Sequence, residues 1–136
     1  SLIIKAGGVS TGTIATNAVT IADGAFTAAN ITTGFPGVTE VQSLEWTSSG
    51  AKTLASCSCV CQSGGSGAST FILRAYLDGV LIKSQAAQTS PLYAAAAFVF
   101  TFTPAAGTRT LVFKTGGQFA QDKTNSRSIM LIETKR

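Results

Sequence analysis

The sequence predicts an all-β chain, an antiparallel β-sandwich of about seven to eight strands preceded by an extended N-terminal arm. Three observations carry this expectation. From residue 40 onward, runs of five to eleven residues alternate apolar with polar side chains and are separated by Gly, Pro, Ser and Asp turn signals. No stretch repeats its apolar residues at the spacing of an amphipathic helix, and the abundance of Thr, Gly and Asn works against helix. Before residue 40 the composition differs: residues 1–39 carry only Lys5 and Asp23 as charges, with small and β-branched residues around single apolar anchors.

Those anchors are Ile14, Val19, Ile21, Phe26, Ile31 and Phe35. Spaced about five apart, they are too sparse for a core of their own, so residues 1–39 are expected to be an arm ordered by lying on a partner surface, with these six as candidate assembly contacts. Residues 40–136 form the sandwich and are expected to fold without the arm. Its first strand is Val41–Thr47, with Leu44 and Trp46 on one face and Ser48, Ser49 and Gly50 closing it. Thr53–Gln62 follows, with Cys57, Cys59 and Cys61 on one face and Ser56, Ser58 and Val60 on the other. After a Ser/Gly connection, Thr70–Leu77 turns Phe71, Leu73, Ala75 and Leu77 inward and Arg74 and Tyr76 outward.

Asp78-Gly79 is the strongest two-residue hairpin signal, which makes Val80–Ser84 the partner strand and residues 85–92 a polar connection. Tyr93–Thr103 places Phe98, Phe100 and Phe102 on one face, and Pro104 and Gly107 bracket the next turn. Thr108–Lys114 then sends Leu111 and Phe113 inward, and residues 116–126 read as a polar loop. In Ser128–Thr134 both faces are apolar, Ile129 and Leu131 against Met130 and Ile132. That pattern belongs to a central strand or to one covered by a neighbouring subunit.

Ala, Thr, Ser and Gly make up about half of the 136 residues, while charged residues are 12%, about half the usual share. The absence of His excludes the His-dependent nucleophile systems and His-containing zinc sites, so no enzyme activity, cofactor or metal is expected. No run is long and apolar enough for a membrane span, and no charged leader opens the chain, so a cytoplasmically made product, complete from Ser1, is expected. Residues 1–108 are neutral and the whole net charge of +4 falls in residues 109–136. Those cations are dispersed without interleaved aromatics, which favours solvated strand ends or an acidic protein surface over nucleic acid.

Other candidates reduce to structure. Cysteines two apart on an extended strand sit too far apart to bridge comfortably, so the three thiols are expected buried and reduced. Asp78 is read as a turn residue. Glu40 and Glu45, five apart, are expected on opposite faces and not as a catalytic pair. Gly64, Gly65 and Gly67 lack the strand-to-helix setting and the Lys of a phosphate loop. Trp46 and Tyr76 are candidate ligand contacts, as rings that could stack on a saccharide, weighed against a core Trp and an exposed or interface Tyr.

The segments FILRAYLDGVLIKS, AFVFTFTPAAGTRTLVFKTGG and SIMLIETKR, with the hairpin at Leu77-Asp78-Gly79 and the spacing of Pro104, Gly107 and Leu111, span residues 69–136. They resemble the C-terminal jelly-roll-like β-sandwich modules of bacteriophage virion proteins, fibres and decoration proteins among them. The N-terminal zone is similar to the small-residue arms of phage structural proteins. The resemblance implies a homotrimer located in the virion, a capsid decoration or cement protein whose partners are copies of itself and a major capsid or other virion protein. A glycan-binding tip of a tail or head fibre is the alternative, and a bacterial immunoglobulin-like adhesion module a third reading. The resemblance brings no catalytic residues.

Overall fold

The computed structural model describes residues 19–65 and 67–134, which form nine strands with no helix among the described residues. They are β1 (Val19–Thr27), β2 (Ile31–Thr32), β3 (Thr39–Ser48), β4 (Thr53–Gln62), β5 (Thr70–Leu77), β6 (Val80–Gln88), β7 (Tyr93–Phe102), β8 (Gly107–Gly117) and β9 (Lys123–Thr134). The innermost pairing is the β5–β6 hairpin. Asp78 and Gly79 close it with φ of 48° and 85°, two consecutive left-handed residues whose twist suits a tight hairpin.

Around that hairpin the pairs nest. β4 lies against β7, β3 against β8 and β1 against β9, each pair enclosing the previous one in sequence. This long antiparallel ribbon doubles over into two sheets, β1-β9-β4-β7 with β2 added to β9, and β3-β8-β5-β6. Two facing sheets made from alternate pairs of one folded ribbon are the jelly-roll form of the β-sandwich.

Strand alternation fills the space between the sheets. Leu44 and Trp46, Phe71, Leu73 and Ala75, Phe98, Leu111 and Phe113, and Ile129 and Leu131 all point into one core. At about 1.5–3 kcal/mol per large apolar side chain, these positions carry the stability. Cys57, Cys59 and Cys61 are buried among them. Burial pushes the Cys57 thiol up to about 12. Cys59 and Cys61 have their sulfurs 3.9 Å apart, and that contact raises Cys59 and lowers Cys61.

Four features differ from the sequence expectation. β1 belongs to the sandwich: its backbone pairs with β9 from Val19–Thr134 to Thr27–Arg127, so the boundary at residue 39 falls inside the folded unit and residues 40–136 lack an edge strand. The remainder of the expected arm, residues 1–18, lies outside the described residues. β6 runs on to Gln88 because its backbone continues to pair with β5, although its side chains are mostly exposed. β9 begins at Lys123, inside the expected loop, on a ladder to β2 and β4.

The fourth difference comes from two bulges. In β3, Glu40 faces Lys114 and Gln42 faces Phe113, so Val41 is an extra residue that turns inward and reverses the alternation. Glu40 and Glu45 therefore both end up exposed, on one face and not on two. In β9 the register slips near Ser126, which has a φ of 45°, and the buried series shifts from Thr124 to Arg127.

Candidate functional site

The two bulges place the buried Arg127. Its Nε donates to the carbonyl of the bulged Val41 at 2.9 Å and its Nη1 to that of Ala29, which ties β9 to β3 and to the chain leaving β1. At one end of the sandwich, the fully buried Asp122 accepts hydrogen bonds from the Gly64 N–H at 2.8 Å, the Phe119 N–H at 2.9 Å and the Ser69 hydroxyl. A Cβ at Gly117 would collide with this carboxylate, so glycine is required there. The buried Glu133 accepts from the backbone N–H and hydroxyl of Ser49 and fixes the turn after β3. These groups consume their polarity in holding loops, and among the described residues no set of three or more His, Cys, Asp or Glu is placed to hold a metal.

The surface is where the molecule is asymmetric. On the outer face of β1-β9-β4-β7, three rows run across four strands: Ala22–Ile132–Leu54–Thr101, Gly24–Met130–Ser56–Val99 and Phe26–Ser128–Ser58–Ala97. None of these twelve positions is charged. Phe26 is 66% exposed, Met130 60% and Val99 58%. Ser58 and Ser128 hydrogen-bond each other, Oγ to Oγ at 2.6 Å, and so offer less polarity than their identity suggests. Leu54, Ser56, Val99, Met130 and Ile132 surround a shallow recess of about 200 Å³.

The outer face of β3-β8-β5-β6 is built differently. Glu40 opposes Lys114, Lys114 opposes Arg74, and Glu45 opposes Thr110. Asp78 accepts from Arg109 at 2.9 Å and from the Thr110 N–H at 2.9 Å, pinning the hairpin turn to β8. One outer face thus carries charges at its centre, and the twelve central positions of the other do not.

Of the sequence candidates, Phe26 lies on the uncharged face and Phe35 is exposed elsewhere, 66% open, in the segment after β2. Ile31 is half-buried and packs against the core, so it is a fold contact. Val19 and Ile21 pair with β9 through their backbones, and their side chains, like Ile14, lie outside the described residues. Trp46 is a core residue, 4% exposed, with its ring edge on Phe102, and presents no face to a saccharide. Tyr76 is half-buried with the Lys114 ammonium 4.7 Å above its ring. Sequence reasoning missed the concentration of Leu54, Val99, Met130 and Ile132 on one face with Phe26, because their adjacency depends on which strands are neighbours.

Neither protein-family models nor curated proteins match this sequence. Among solved structures, the chain is similar to dimeric latent PorU from Porphyromonas gingivalis. The TM-score is 0.50 and the identity 10%, over 87% of this chain and 13% of that one. The likeness is one of fold. The chain spans a small part of that protein's length.

Proposed function

We propose that this chain is a virion structural protein, a capsid decoration or cement module that works by burying surface. The uncharged outer face of β1-β9-β4-β7 is its assembly surface. The observation that carries this reading is the contrast between the two outer faces: exposed Phe26, Val99 and Met130 with no charge among twelve positions on one, and Glu, Lys and Arg on the other. An exposed flat sheet without charges invites association unless something covers it.

Magnitude argues that the face is the centre of a larger contact. At ~3.4 Å per residue along a strand and ~4.8 Å between strands, twelve outward positions cover about 400 Å². A stable interface buries about 800 Å² per partner. The phage resemblance points to three copies around an axis, where each weak contact gains by multiplicity.

Charge placed on the face tests this. Met130→Lys and Val99→Glu are expected to leave the fold unchanged, because both side chains point to solvent in the single chain, while reducing self-association and co-sedimentation with intact particles at least tenfold. Thr108→Lys, on the opposite sheet, is expected to change neither. Equal loss in all three, or in none, contradicts the assignment.

A further inference from the structure

On the other sheet, Arg74 of β5 stands directly across from Lys114 of β8. Facing positions of an antiparallel pair hold their Cβ atoms about 5 Å apart, and two like charges there repel. Lys114 has other company, Glu40 across the ladder on β3 and the Tyr76 ring beneath its ammonium. Arg74 has neither. Its Nε is buried without a hydrogen-bond acceptor, and among the described residues the ion pair that forms is Arg109–Asp78.

Beside Arg74 lies a groove of about 320 Å³ whose walls include Val38, Thr70, Ile72, Ala86 and Gly116. That volume is at the small end of ligand sites and suits one acidic side chain with its flanks. A guanidinium fork matches a carboxylate in two parallel hydrogen bonds. The Thr70 hydroxyl is a further donor, and Val38, Ile72 and Ala86 offer aliphatic contact to either side. A sugar ring finds no open aromatic platform here, since Lys114 covers Tyr76. We propose that this groove binds the carboxylate of an extended acidic peptide segment of a partner protein, with Arg74 as its anchor. This site is independent of the assembly face on the opposite sheet.

The test is a titration of the ¹⁵N-labelled full chain with an acetylated, amidated pentapeptide carrying one glutamate flanked by leucines. Saturable amide shifts confined to Thr70, Ile72, Arg74 and Gly116 are expected, weakened at least fivefold by 0.5 M salt. The glutamine version of the peptide is expected to produce none. Arg74→Gln should weaken binding at least tenfold while keeping the spectrum dispersed. The salt and glutamine-peptide arms use the unaltered chain and stand even if the variant misfolds. Equal binding of the glutamine peptide, unaltered binding by Arg74→Gln, or tighter binding of glucuronate at the same residues overturns the proposal.

Discussion

Asp122 is buried and has a clear task, since three donors from two separate segments converge on its two oxygens. Asp122→Asn keeps the size but turns one acceptor into a donor, facing either the Gly64 N–H or the Phe119 N–H and Ser69 hydroxyl together. Such a mismatch costs about 2–3 kcal/mol, readable as a lowered urea midpoint at unchanged slope. The thiols provide a second residue-level prediction. Cys57, Cys59 and Cys61 are buried, so a thiol reagent should leave them untouched in the native protein and label all three once it is unfolded. Burial holds the Cys57 value at about 12 against an ordinary 9.0, which means the fold favours the neutral thiol. Its stabilising contribution is complete below pH 9 and is lost as pH rises toward 12, so unfolding midpoints should fall across that window. Substitution of Cys57 by Ala should flatten the fall. Loss of stability confined to lower pH contradicts this account.

At the scale of elements, β4 and β5 were legible to the residue, Thr53–Gln62 and Thr70–Leu77, because strict alternation and flanking turn residues mark both. β1 was hidden. Its outward positions Ala22 and Gly24 are small, and its exposed Phe26 reads as an anchor when its neighbour on the sheet is unknown. The bulges at Val41 and near Ser126 were equally invisible, since an extra residue reverses the alternation without any local composition signal. The core side of the molecule was therefore readable from period alone, whereas the uncharged outer face required knowing that β9 lies between β1 and β4. Truncation separates residues 1–18 from the strand. Removing residues 1–18 should leave a cooperatively unfolding sandwich. Removing residues 1–27 should strip β9 of its long partner on one side, expose an apolar strand edge, and give an aggregating chain by circular dichroism and light scattering. A well-folded, monomeric 28–136 chain would show that β1 is dispensable.

For the whole molecule, the low charge of the sequence takes on a direction. Glu40, Glu45, Arg74 and Lys114 lie on the outer face of β3-β8-β5-β6, whereas the twelve central positions of the opposite face carry no charge and Lys123 stands at one end of it. The jelly roll accomplishes this by sending neighbouring ribbon pairs to different sheets, so that one chain presents two unlike surfaces. A face of this kind is stable in water when copies of the chain cover it. The measurement closest to that claim is the mass of the unaltered full chain in dilute, moderate-salt solution by light scattering. Three copies of a 13.9 kDa chain predict about 42 kDa, and a mass that stays at 13.9 kDa as the concentration is raised contradicts the account.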